Sequence, residues 1–272
     1  MLDSRQRRAA VWLSTRRESA RKEEPMADLR NYQPRVAAGA RLDTAIDEGL
    51  RAYMIRVYNL MALGLAITGL AAWGAFNFAV SDGQLTAFGQ LIYASAFRWV
   101  VIFAPLALVF FMSFRIHTMS VSAAQTTFWV YSALVGLSLS TIFLVYTGES
   151  IVRTFFITAA SFGALSLWGY TTRRDLSGMG SFLFMGLVGL IIASIVNIFL
   201  GSSALQFAIS VIGVLVFAGL TAYDTQQIKE MYYEGDDQLV AGRKAIMGAL
   251  RLYLDFINLF MFLLQFLGNN RE

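Results

Sequence analysis

Ala249-Leu250-Arg251-Leu252-Tyr253-Leu254-Asp255-Phe256-Ile257-Asn258-Leu259-Phe260 is the stretch on which the reading of this chain turns. It belongs to an apolar run over about 245–267, and ~20 apolar residues of helix are enough to cross the ~30 Å of a bilayer core. Asp255 stands well inside that run. A second carboxylate, Asp224, closes the preceding apolar run in Ala222-Tyr223-Asp224-Thr225-Gln226-Gln227. The other runs keep their charges at or near their ends. An ionisable side chain within a membrane segment is costly, so it marks a functional site unless a partner accounts for it.

Composition points the same way. The 272 residues are 57% hydrophobic and 15% charged, where a soluble domain is about one quarter charged. The apolar residues fall in seven blocks, over about 55–76, 98–114, 124–146, 151–170, 181–200, 204–224 and 245–267. The fold class read from this is all-α integral membrane with seven transmembrane helices. Short connections make consecutive helices antiparallel neighbours, and the longest connection is read over 225–244. Six spans with a re-entrant last segment is the competing topology, because Arg251 and Asp255 make the seventh run the least apolar in its first half. Pro105 inside the second run predicts a kink. Ala218, Gly219 and Ala222 mark a face on which the sixth helix can approach a neighbour closely.

Residues 1–45 form a separate region, rich in arginine and without an apolar period, and read as a disordered basic tail ahead of the membrane domain over 46–272. Asp3, Glu18, Glu23 and Glu24 argue against an organellar transit peptide. Met26 is an alternative start, which would make residues 1–25 a start-site artefact. Placing the N-terminus in the cytoplasm gathers the tail, Arg115, Arg173, Arg174, Lys229, Arg243 and Lys244 on the inner side, and leaves Arg98, Arg153 and Arg271 outside. That is the positive-inside distribution of a multi-pass membrane protein with its N-terminus in the cytoplasm.

With no Cys and a single His, disulfides, thiolate metal sites and His-rich zinc sites are excluded. No glycine cluster has phosphate-loop spacing, and the expected partner is the lipid bilayer, with no nucleic acid and no cofactor. An intramembrane aspartyl protease would place its second aspartate in Gly-x-Gly-Asp and carry Pro-Ala-Leu. Here Leu252-Tyr253-Leu254 precedes Asp255, and the only prolines are 25, 34 and 105. An enzyme is therefore not expected.

Asp224 and Asp255 can meet if the sixth helix continues past Asp224 or the seventh starts late. Two carboxylates ~4 Å apart repel by ~4 kcal/mol at an effective dielectric of 20. Such a pair would titrate as one coupled unit, a proton sensor that on losing its proton would repel itself or attract a cation and so bias helix packing. The plainer alternative is that Arg251, four residues before Asp255, forms an intrahelical ion pair with it, and that Asp224 is an interfacial residue in a helix-ending turn. Arg115 is a further candidate counter-ion, for Asp224. Asn197 and Asn258, both within spans, read as interhelical hydrogen-bonding residues ahead of ligands. His117 reads as a loop residue.

Tyr223-Asp224-Thr225-Gln226-x-Ile228, then Leu252-Tyr253-Leu254-Asp255-Phe256-Ile257-Asn258-Leu259-Phe260 and Leu267-Gly268, closely resembles the Bax inhibitor-1 family, bacterial branch. Gly169-Tyr170-Thr171-Thr172-x-x-Asp175-Leu176-Ser177 and Asn197-Ile198-Phe199 resemble further family elements, and the likeness covers about 50–268. The resemblance implies a seven-helix fold with the last helix central. It implies that Asp224 and Asp255 are the paired aspartates taken as the pH sensor of a calcium leak channel, with Arg115 the arginine that takes one of them on opening. A non-enzymatic modulator of a membrane-anchored AAA protease is the other role that it implies. Arg251 departs from the small or neutral residue expected at its position.

Overall fold

The computed structural model describes residues 25–269 and 271. Its contacts divide the chain after Arg51, and the unit from Ala52 onward carries the features described below. Seven long helices follow one another: α1 Pro25–Ala79, α2 Arg98–Arg115, α3 Val121–Leu139, α4 Gly148–Thr171, α5 Ser177–Leu200, α6 Ser203–Glu230 and α7 Gln238–Leu267. All seven are long and apolar enough to cross a membrane. α7 is one unbroken helix of 30 residues, about 45 Å at 1.5 Å per residue. It does not turn back within the bilayer, so the re-entrant alternative falls.

One expectation about segment limits is corrected. The stretch 225–244 is not one long loop. α6 runs on to Glu230 and α7 begins at Gln238, because polar residues end the membrane-crossing portion of a helix without ending its hydrogen-bond ladder. The backbone is helical from Pro25 through the 45/46 limit drawn from composition. Proline at the first helical position costs no bond, and the Ala and Arg that follow favour helix without any apolar period. The tail over 1–24 lies outside the described residues.

Local chemistry explains the short connections. Ser120, Thr147, Ser202 and Asp237 each accept a backbone N–H of the first turn they precede, at 3.2, 3.3, 3.2 and 2.7 Å, and so cap α3, α4, α6 and α7. After α1 the chain makes a small hairpin, β1 Val80–Ser81 paired antiparallel with β2 Gln84–Leu85. Asp82 and Gly83 at its tip take φ of 51° and 75°, the left-handed pair that a two-residue hairpin turn demands.

The core is organised around α7. Of its apolar window 61% is buried, against 17–39% in the other six helices, and it packs on α6, α4 and α3. Tyr253 is fully enclosed. Its ring meets Phe128 and Tyr131 of α3 edge-on, both at 5.7 Å, and its hydroxyl lies 2.6 Å from that of Thr68 on α1. Phe256 makes the same kind of contact with Phe155 and Phe162 of α4. In lipid such contacts hold helices together by dispersion and satisfied polar groups, because apolar surface gains little by leaving one hydrocarbon phase for another. α4 and α6 touch directly at Gly169, where an added Cβ would lie 2.2 Å from the Ala222 carbonyl oxygen. Ala222 thus packs on α4, while Gly219 of the same helix admits Leu183 of α5.

Candidate functional site

Asp224 and Asp255 come together. The extension of α6 beyond Asp224 is held by side chains of its own last turns. Gln226 accepts the Leu176 N–H and donates to the Arg174 carbonyl, both at 2.8 Å, which clamps α6 to the turn between α4 and α5. Lys229 donates to the Tyr170 carbonyl at 2.9 Å and lies over the Tyr170 ring. Thr225, next to Asp224, continues a hydroxyl chain from Tyr58 of α1 through Ser166 of α4, with the Ser166 and Thr225 oxygens 2.8 Å apart. Asp224 is thereby fixed in rotation and in height on α6.

Asp255 is the eighteenth residue of α7, deeper than an apolar run beginning near 245 suggests. Its side chain is buried, and one carboxylate oxygen, Oδ2, has no hydrogen-bond partner in the described structure. A buried carboxylate oxygen left without a partner is expensive. The two aspartates face the same space. Both line one cavity of about 890 Å³ between α5, α6 and α7, together with Arg251, Asn258 and Tyr223. Asn258 donates to the Leu254 carbonyl one turn earlier, at 2.8 Å.

Arg251 does not form the intrahelical pair with Asp255 that its spacing allows. Its guanidinium approaches Asp224 across the helix interface, at 4.0 Å. The arginine side chain is 45% exposed and that of Asp224 17%, so this is a loose contact at the mouth of the cavity. Arg115 is not brought to the pair. It ends α2, exposed, and lies outside the cavity lining. The cation beside the aspartates is Arg251. His117 falls in the single helical turn that follows α2.

Asn197 belongs to the opposite end of the bundle. Its amide accepts the Ser202 N–H at 3.1 Å and donates to Gln206 at 3.0 Å. Gln206 donates to Gln265 at 2.8 Å, and Gln265 also accepts from Ser210 at 3.2 Å. This amide network ties α5, α6 and α7 and engages both the oxygen and the nitrogen of Asn197. Gln206, Gln265, Tyr58 and Ser166 were not singled out from the sequence, and Thr225 and Gln226 stood in the family motif without a role of their own. Glutamines inside apolar runs, and hydroxyls four residues apart along α4, were the available signals.

Among the described residues no three Asp, Glu or His side chains gather as a metal cluster. Calcium in a resident site takes 6–8 oxygens. Two carboxylates beside a guanidinium suit a passing cation or a shared proton better than a permanent ion.

The family model described as Inhibitor of apoptosis-promoting Bax1 matches residues 50–272. The inner membrane protein YbhL of Escherichia coli is 49% identical over 226 residues, covering 82% of this chain and 94% of that protein. An uncharacterized protein of Rickettsia prowazekii is 53% identical over 228 residues, 83% of this chain and 93% of its own. One from Caulobacter vibrioides is 48% identical over 250 residues, 91% of this chain and its full length.

Proposed function

Because the chain belongs to the Bax inhibitor-1 family of membrane proteins, we propose that it is a multi-pass inner-membrane protein that lets calcium leak across the bilayer under control of the Asp224–Asp255 pair. The observation that carries this reading is the buried, partly unpartnered carboxylate of Asp255 beside Asp224 at a cavity of about 890 Å³. A buried polar group left short of partners at a cavity is where a mobile proton or ion finds its place.

The pair has three charge states. With both carboxyls protonated the aspartates carry no charge, and the Arg251 guanidinium repels an arriving cation. With one proton shared between them, the single negative charge is balanced by Arg251. With both ionised, two carboxylates face each other against one guanidinium. They then either draw in a hard cation, whose preferred ligands are carboxylate oxygens, or push α6 and α7 apart. Either response couples proton loss to a change in packing at this interface. Flux therefore rises with pH across the range in which the pair loses its proton. Arg251 fills here the counter-ion role that the resemblance gives to Arg115.

The test is calcium entry into proteoliposomes from pH 5 to pH 8, for the wild type beside Asp224→Asn and Asp255→Asn. The expected outcome is a flux that rises with pH in the wild type and loses that dependence in either variant. Folded wild-type protein that conducts no more than empty liposomes would end the channel reading. Binding to a membrane-anchored AAA protease would then be the next property to measure.

A further inference from the structure

A second cavity lies on the other side of α7 and at the other end of the bundle. It holds about 290 Å³ between α1, α3, α4 and α7, with Leu65, Gly69, Ala72, Val152, Phe156 and Phe260 among its lining. The only polar side chain in the lining is Thr68. That hydroxyl is already bonded to the Ser132 carbonyl at 2.9 Å and to the Tyr253 hydroxyl at 2.6 Å. Nothing in this cleft asks for water, an ion or a polar ligand. It opens sideways, toward the face on which Val152 and Phe156 are 56% and 67% exposed. In a membrane that face meets lipid.

The end of the cleft carries positive charge. Phe143, part of the lining, stacks on Phe76 at 5.3 Å. The Arg271 guanidinium lies 5.5 Å over the Phe76 ring and donates to the Phe143 carbonyl at 2.9 Å. Arg153 follows the lining residue Val152 and reaches toward the Leu267 carbonyl at 3.5 Å. Both arginines are exposed. Glu149 is one turn before Arg153 on α4 and exposed, and among the described residues no ion pair joins the two. A guanidinium fork matches phosphate oxygens in geometry as well as charge.

We infer that this cleft is a binding site for a glycerophospholipid, with one acyl chain between α1 and α4 and the phosphate on Arg153 and Arg271. At about 290 Å³ the cleft is too small for even one turn of a helix about 10 Å across, and an unfilled void would deprive its lining of dispersion contacts. A lipid supplies both what the apolar walls and what the cationic mouth require, and it is the solvent in which the protein lives. This site is independent of any ion flux.

The experiment uses the whole protein, extracted in mild detergent and examined for retained phospholipid by native mass spectrometry and phosphorus analysis. The expected result is about one phospholipid held per chain, in the manner of headgroup capture by a basic pocket. The double variant Arg153→Gln/Arg271→Gln should lower retention several-fold. Gly69→Leu should do the same from the apolar side, because a Cβ at Gly69 meets nothing within 4 Å and a longer side chain grows into the cleft. Unchanged retention in the arginine variant, or a retained fatty acid without phosphorus, overturns the proposal. The arginines lie at the surface, so that variant decides the matter even if Gly69→Leu fails to fold.

Discussion

α6 and α7 are joined by polar groups at both ends, and the two ends differ in kind. At one end Gln206, Ser210, Gln265 and Asn197 are neutral amides and a hydroxyl that bond to one another. At the other, two carboxylates and a half-exposed guanidinium surround a cavity, and one buried oxygen is left over. The amide end resembles a clasp, since neutral hydrogen bonds inside a membrane have no protonation states to exchange near neutral pH. The aspartate end can change its charge without changing its residues. Sequence hydropathy treats both simply as polar interruptions. What separates them is whether each polar atom has a partner.

The difference can be broken most sharply at Asp255. A gate linked to one proton responds by up to about tenfold per pH unit, the factor that corresponds to 1.36 kcal/mol. Asp255→Asn should flatten the flux profile between pH 5 and pH 8, as read by a calcium dye in proteoliposomes. At the amide end, Gln265→Ala should leave the pH profile intact and act on stability alone. It strips Gln206 and Ser210 of a partner, at a cost of about 1–2 kcal/mol, seen as a melting point lower by a few degrees. A flattened pH profile in Gln265→Ala would erase the distinction between the ends.

Arg251→Gln is a milder test of the aspartate end. Removing the guanidinium leaves the pair's negative charges without compensation, so the flux profile should move to higher pH. An exposed ion pair is worth about 0–1 kcal/mol, so the displacement should be less than about one pH unit. A larger displacement would mean that Arg251 reaches Asp255 as well.

The smallest effect is expected at Asp175, in the turn before α5 and outside the membrane-spanning segments. Hydrogen bonds from Ser177, including its N–H at 2.8 Å, hold this carboxyl below the ordinary carboxylate range. The stability it contributes is present above about pH 4 and is lost only as pH falls through its lower folded value. It stays ionised from pH 5 to pH 8, so Asp175→Asn should leave the flux profile unchanged and lower the melting point slightly near neutral pH, a difference that disappears in acid.

The sequence made the seven spans legible, and with them the meeting of Asp224 and Asp255, because ~20-residue apolar blocks and buried charge are strong signals. It misplaced the segment between them. Lys229, Glu230, Arg243 and Lys244 look like loop by polarity, yet they lie on helix. Hydropathy reports where lipid stops, and the backbone ladder continues into water. Arg251 was harder to read. Both Asp255 at i+4 and Asp224 on the next helix are chemically acceptable partners, and the choice follows from how α6 is rotated. That rotation is set by Gln226 and Lys229 clamping distant carbonyls, contacts that no local pattern encodes. The apolar cleft beside α1 was invisible for a related reason, since a void is a property of packing between helices.

The crossing of α4 and α6 at Gly169 gives the bundle a mechanical ratio. Where backbone meets backbone there are no rotamers to yield, so a tilt of α6 against α4 has its fulcrum near Ala222. Asp224 stands two residues from that point, about 3 Å along the axis, and Ser203, where the helix begins, lies about 28 Å away on the other side. A displacement at the charge pair is therefore multiplied roughly ninefold at the far tip. The amides of Gln206 and Gln265 hold that tip, which makes them the limit on the throw of a lever whose short arm carries the charge.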